Sequence, residues 1–200
     1  VIDLSPLHLD ETSHTYTWNG SVVPGVTGLL DKMGYLAGVP RSILDSALHR
    51  GTRVHTACEL DDEGNLDEET AADVMGYVKS WRNFSDAHQV RWIHIEQPMY
   101  HSVLRYAGKP DRIGLVATNG ASRTLVDIKS GPWHPIIAAQ LAAYSRLSDA
   151  CGVRSDCAMS VHLSADGQPR VRELSIAELN EGWALFTGLL NAHNWKAKYL

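Results

Sequence analysis

Asp111, Asp127, Lys129, Gln140 and Tyr144 fall within one stretch, GKPDRIGLVATNGASRTLVDIKSGPWHPIIAAQLAAY, residues 108–144. Two carboxylates and one ammonium converging on one spot make a site for a hard divalent cation with a charged neighbour, and oxygen ligands of this kind suit Mg²⁺ or Mn²⁺. Convergence depends on register. Residues 111–117 and 122–129 read as two strands, and Asn119-Gly120 between them is a hairpin signal. If Asp111 lies opposite Asp127, then Ile113 faces Leu125, and both carboxylates share a face and an end of the sheet. A two-residue Asn119-Gly120 turn would instead pair Asp111 with Ile128 and send the carboxylates to opposite faces. The expected register therefore has a three-residue loop, Thr118-Asn119-Gly120, with Gly120 at positive φ, or a bulge that restores the alignment. Lys129, two residues beyond Asp127, points to the same side. Gln140 and Tyr144 are one turn apart on a following helix and face the same way.

An Asp-x-Lys triplet alone is most often a surface ion pair, contributing about 0–1 kcal/mol. The order of the signals is more specific than any one of them. Pro110-Asp111, then Asp127-Ile128-Lys129-Ser130-Gly131, then Gln140-Leu141-Ala142-Ala143-Tyr144 resembles the PD-(D/E)xK nuclease superfamily. The branch is that of RecB-type nuclease domains and phage recombination exonucleases, which also carries a Gly-x-x-x-His element upstream. Here that element is Gly51-Thr52-Arg53-Val54-His55, and the resemblance runs from about residue 26 to 144.

The resemblance implies metal-dependent phosphodiester hydrolysis. His55, Asp111, Asp127 and the backbone carbonyl of Ile128 are the implied metal ligands, with Glu96 close by and a second ion shared through Asp127 or Glu96. Lys129 is implied to orient the attacking water, and Gln140 and Tyr144 to hold the phosphate, the water or the lysine. A lysine beside two carboxylates should stay charged, which favours positioning over proton abstraction. The implied substrate is linear double-stranded DNA degraded from an end, in phage-type recombination or replication, within the cytoplasm of a bacterial or phage-infected host cell. An endonuclease, a single-strand-specific nuclease, and a nucleic-acid-binding accessory protein that does not cleave are the competing readings. Relatives also make a homo-oligomer and a single-strand annealing or binding partner protein expectations for this chain.

The elements that must position these groups can be read in order. Residues 14–18 and 21–23 form a hairpin around Asn19-Gly20. A helix over 26–36 has apolar residues at Val26, Leu29, Leu30 and Met33, with Thr27 as its expected cap. Pro40 stands where a new helix can begin. Residues 41–48 and 51–60 read as helices, joined or broken near Arg50-Gly51, and Gly51 is expected to let the second approach the sheet closely. Residues 61–70, DDEGNLDEET, read as a solvated acidic connector. A helix over 71–84 shows a stripe of Val74, Tyr77, Val78 and Trp81, with Lys79 and Arg82 off it. Residues 89–102 read as one strand with Glu96 near its end. After the central hairpin come a helix over 135–147, strands at 154–163 and 169–174, and a closing helix over 175–198. Ser175-x-x-Glu178 marks the start of that last helix. Trp133, between strand and helix, is expected to pack, although an aromatic there could also stack on a base.

This predicts an α/β fold with a restriction-endonuclease-like core. A central mixed β-sheet is flanked by helices, and an N-terminal helical region precedes it. Two hundred residues fit a single domain, 1–200, with hairpin and helices over 1–88 and the sheet core over 89–200. Hydrophobic content of 44% is enough for a full core. Three cysteines with no CxxC pair argue against a disulfide framework or a zinc site, and the resemblance implies no iron–sulfur cluster, because the cysteine set of the related iron–sulfur nucleases is missing. No signal sequence or membrane span is read. The net charge of −5, from 18 basic and 23 acidic residues, means that any DNA contact needs a local basic groove or a metal that offsets the carboxylates.

Overall fold

A computed structural model describes residues 4–117 and 121–200. In chain order the elements are β1 (Leu7–Asp10), β2 (Thr15–Trp18), β3 (Ser21–Val23), α1 (Val26–Asp31), α2 (Arg41–Asp62) and α3 (Met75–Ala87). Then come β4 (Arg91–Ile95), β5 (Met99–His101), β6 (Tyr106–Gly108), β7 (Arg112–Ala117) and β8 (Ala121–Lys129). The last are α4 (Ile136–Ala150), β9 (Cys157–His162), β10 (Arg170–Glu173) and α5 (Ile176–Tyr199).

The central sheet has the order β10-β9-β8-β7-β4 and is mixed. β8 and β9 run parallel, joined by the helical crossover α4, while the other neighbours are antiparallel. Alternation along the strands divides the core into two layers. Ile113, Leu125 and Ala158 face a cluster with Leu29 of α1, Leu141 and Leu147 of α4 and Phe186 of α5. Val116, Val126, Ile128, Met159 and Val161 face the other way, onto Val54 and Cys58 of α2 and Val78, Trp81 and Phe84 of α3. A mixed sheet with helices on both faces is the architecture expected from the sequence. Two small antiparallel units complete it: a three-stranded sheet β1-β2-β3 and the pair β5-β6.

The register of β7 against β8 is the one that the carboxylates require. Ile113 lies opposite Leu125 and Arg112 opposite Val126, and the ladder closes with Ala117 opposite Ala121. The expected loop Thr118-Asn119-Gly120 lies outside the described residues. The N-terminal hairpin is also as read, with Trp18 opposite Ser21 and both Asn19 and Gly20 at positive φ. α5 begins in a full capping box, in which Ser175 Oγ accepts from Glu178 N while Glu178 Oε2 accepts from Ser175 N.

Several local expectations need correction. Of the two alternatives at Arg50-Gly51, α2 takes the joined one and runs as a single continuous helix. A Cβ on Gly51 would meet only Ser130 Oγ at 3.9 Å, so this glycine is not required for close approach. Close approach occurs elsewhere: a Cβ on Gly182 would stand 2.5 Å from Ala138 O, so α5 packs there on the backbone of α4. Thr27 does not cap α1; the N-cap is Gly25, and Thr27 Oγ1 lies 3.4 Å from Tyr144 OH instead. The strand over 89–102 is two strands, bulged between Trp92 and His94 and interrupted at Glu96, whose φ is +46°. The acidic connector is not wholly solvated, since Asp61 and Asp62 close α2 and both carboxylates are paired. No helix among the described residues is long and apolar enough to cross a membrane.

Candidate metal centre and active site

Asp111 precedes β7, Glu96 follows β4, and the two positions meet because Glu96 N donates to Asp111 O at 2.9 Å. α2 lies across this end of the sheet and brings His55 to them. Nδ1 of His55 is 3.6 Å from Asp111 Oδ2 and 3.8 Å from Glu96 Oε1. One ligand atom from each of His55, Glu96 and Asp111 lies within 4.8 Å of the others, and these three groups could hold a metal ion.

Hydrogen bonding orients each member. The other ring nitrogen, His55 Nε2, lies 2.9 Å from the carbonyl of Ile128. A carbonyl only accepts, so Nε2 carries the proton and Nδ1 of the neutral ring turns its lone pair toward the two carboxylates. That bond takes one of the two lone pairs of the Ile128 carbonyl, which the resemblance implies as a ligand, and leaves the other. Asp111 Oδ2 accepts from Ile128 N at 2.7 Å, tying its carboxylate to β8. Glu96 receives Arg112 Nη1 at 3.3 Å on Oε1 and Lys109 Nζ at 3.3 Å on Oε2.

Asp127 and Lys129 form a second unit on the same end of the sheet. Asp127 is 1% exposed, and Lys129 Nζ reaches its two oxygens at 2.8 and 2.7 Å. The contact to Oδ1 is a hydrogen bond, whereas Oδ2 is buried without one. Asp127 is thus not in the three-membered ligand group, although Asp111 and His55 are close enough to act on its carboxyl, Asp111 raising its pKa and His55 lowering it. On α4, the half-buried Gln140 sits beside the buried Tyr144, whose hydroxyl also approaches Thr27.

The electrostatics follow from this crowding. Burial works against the His55 imidazolium, but Asp111 and then Glu96 outweigh it and raise the pKa of the ring. Burial would raise Glu96, yet His55, Lys109 and Arg112 together hold its carboxyl below the ordinary glutamate value. Asp127 is raised, chiefly by burial and further by Asp111, with Lys129 opposing. For Lys129 burial favours the neutral amine, but Asp127 and Asp111 prevail and raise it, so the ammonium stays charged. A site with more buried carboxylate than cation is chemically suited to a divalent ion. The imidazole nitrogen of His55 and the carboxylates of Glu96 and Asp111 are donors of the kind that such an ion takes.

Three contributors were not read from the sequence: Lys109, Asp62 and Arg112. Arg112 is fully buried, its Nε 2.7 Å from Asp62 Oδ2, and Asp62 also accepts from Trp81 and Trp92. The signal was present in the alternation of β7, which puts Arg112 on the same face as Val116 and so in the core, where a guanidinium must have an acidic partner. Arg82, off the apolar stripe of α3, is committed to Asp61 and Glu68. Trp133 is covered on one face by the Arg172 guanidinium, 3.9 Å from its ring centre.

No family model matches the sequence, and no curated protein matches it. Among solved structures, one from Eubacterium rectale described as a "putative exonuclease" superposes with a TM-score of 0.41 at 11% identity. The match covers 72% of this chain and 68% of that one.

Proposed function

We propose that this chain is a divalent-metal-dependent nuclease of the PD-(D/E)xK type that degrades linear double-stranded DNA from an end. The observation that carries the reading is the meeting of His55, Glu96 and Asp111 within 4.8 Å, beside the buried Asp127 and its partner Lys129 at the same end of one sheet. His55, Glu96, Asp111 and Oδ2 of Asp127 would hold the ion, with Mg²⁺ or Mn²⁺ as the fitting candidates. When bound, the ion supplies charge to polarise a scissile phosphate and to lower the pKa of the attacking water.

The chain's own residues do the rest. Lys129, fixed by Asp127 and held cationic, presents an ammonium that orients the attacking water and offsets charge that develops on the phosphate oxygens. The proton of that water passes to solvent rather than to Lys129, which has none to gain. Asp111, clamped to β8 through Ile128 N, keeps the attack line fixed with respect to Lys129. Gln140 and Tyr144, on the helix that follows, bound the site where the phosphate enters. Phage-type recombination or replication is the setting that the motif order supports.

The test is cleavage of end-labelled linear duplex, closed circular duplex and single strands in Mg²⁺ or Mn²⁺, with EDTA as control. Metal-dependent loss of the linear duplex alone, releasing mononucleotides with 5′-phosphates, is the expected result. Cutting of the circle would replace the exonuclease reading with an endonuclease, and no cleavage of any substrate by folded protein would remove the enzyme reading.

A further inference from the structure

Arg112 has no place in hydrolysis itself, yet it is among the largest fully buried side chains of the described residues. Its Nε binds Asp62 Oδ2 at 2.7 Å, and its Nη1 binds both the Asp111 carbonyl at 2.7 Å and Glu96 Oε1 at 3.3 Å. Nη2 is buried with no hydrogen bond. The guanidinium also lies 5.8 Å from the ring centre of Trp81, while the indole N–H groups of Trp81 and Trp92 hold Asp62 from the far side.

Stability does not explain this arrangement. A buried ion pair gives little net stabilisation over a packed apolar pair, and the orphaned Nη2 adds a desolvation cost. What the arrangement does provide is geometry. Asp62 is seven residues beyond His55 on α2, two turns along one face. Arg112 follows Asp111 directly. One ion pair therefore links the helix that carries one ligand to the strand that carries the second. The third ligand, Glu96, sits at a positive φ with its amide tied to Asp111 O, and its carboxylate is held between Arg112 on Oε1 and Lys109 on Oε2.

We infer that the Asp62–Arg112 pair is a positioning device for the metal centre: Arg112 fixes the Glu96 carboxylate and the Asp111 backbone, and Asp62 fixes Arg112. The inference rests on the metal-site reading above and concerns how the ligands are held. Outer partners of metal ligands typically contribute about 10–100-fold in metal affinity.

The experiment is Mn²⁺ binding by calorimetry and by electron paramagnetic resonance, in parallel with thermal unfolding without metal. The proteins are the wild type, His55→Ala, Arg112→Lys, Asp62→Asn and the double variant Asp62→Asn/Arg112→Met. Asn keeps an acceptor for the two indoles, and Met fills the space of the guanidinium stem, so the double variant removes the charges with the least damage to packing. Positioning predicts that folded Arg112→Lys and Asp62→Asn bind Mn²⁺ at least ~10-fold more weakly. It also predicts that the double variant regains thermal stability without regaining affinity. Wild-type affinity in folded Asp62→Asn, or a double variant that recovers both stability and affinity, would show a merely structural pair and overturn the inference. If the wild type itself binds no Mn²⁺, or binds it as well after His55→Ala, the metal-site reading fails and the inference with it. Should Arg112→Lys not fold, Asp62→Asn decides the matter alone.

Discussion

Replacing Lys129 with Ala separates the pairing role of the lysine from any catalytic one. Asp127 is 1% exposed, and Lys129 is its only hydrogen-bond donor among the described residues. The substitution leaves a buried carboxylate with no donor. Breaking a buried pair in this way costs about 3–5 kcal/mol, and the lower end applies here because 24% of the lysine side chain is exposed to solvent. For a chain of this size each kcal/mol corresponds to roughly 2–4 °C, so the melting temperature without metal should fall by about 6–12 °C at pH 8. The sign of the pH dependence follows from Asp127. Its pKa is already raised by burial, and loss of the ammonium raises it further. A carboxyl whose folded pKa exceeds its unfolded value of about 3.9 penalises the fold fully above the folded pKa, and the penalty vanishes below the unfolded one. The difference between variant and wild type should therefore shrink as pH falls from 8 toward 4. Urea unfolding followed by circular dichroism at several pH values, in EDTA, reads this directly. A loss under ~1 kcal/mol at pH 8, typical of an exposed pair, would refute the reasoning, as would a loss that does not change with pH.

Other perturbations test other parts of the account. Gly182→Ala places a Cβ 2.5 Å from Ala138 O and should destabilise by about 1–3 kcal/mol as α5 is forced off α4. Gly188→Ala, on the same helix with nothing within 4 Å, should instead be neutral or stabilise by up to about 1 kcal/mol; denaturant midpoints compare the two. Ser175→Ala removes the cap of α5 and should cost about 1 kcal/mol. Its partner Glu178 is held down to a pKa of about 2, first by Arg172 and then by the Ser175 backbone and hydroxyl. The stabilisation from Glu178 is thus present above its unfolded value near 4.3 and is lost as pH falls toward 2, so Glu178→Gln and wild type should converge in melting temperature at the acid end. Saturating Mn²⁺ at about 100 times its dissociation constant should stabilise the wild type by ~2.7 kcal/mol and leave His55→Ala unmoved in a thermal-shift assay.

Much of this was legible in the sequence because it rests on period and local chemistry. The pairing of Ile113 with Leu125 follows from requiring Asp111 and Asp127 on one face, and the structure has that register. The start of α5 follows from Ser175 and Glu178, whose capping bonds need no tertiary context. What escaped depends on contacts between distant segments. The run that contains Asp61 and Asp62 has the composition of a solvated connector, and only packing against β7 shows that Asp62 closes a core ion pair. Arg112 was hidden by its neighbour: Asp111 draws attention to one face of the strand while Arg112 occupies the other. β1 and β6 are short strands whose pairing is set by partners rather than by their own pattern. The break at Glu96 reflects a positive φ at a non-glycine residue, which residue type does not announce.

The most direct measurement of the central claim is the rate of nucleotide release from linear duplex DNA in Mg²⁺ or Mn²⁺ by the wild type, His55→Ala, Glu96→Gln, Asp111→Asn and Lys129→Ala. Cleavage by the wild type that EDTA abolishes is the expected result, with a loss of at least ~10²-fold in every variant that remains folded, the scale expected when a group that stabilises the transition state is removed. A folded wild type inert in both ions, or Asp111→Asn and Lys129→Ala releasing nucleotides at the wild-type rate, would contradict it.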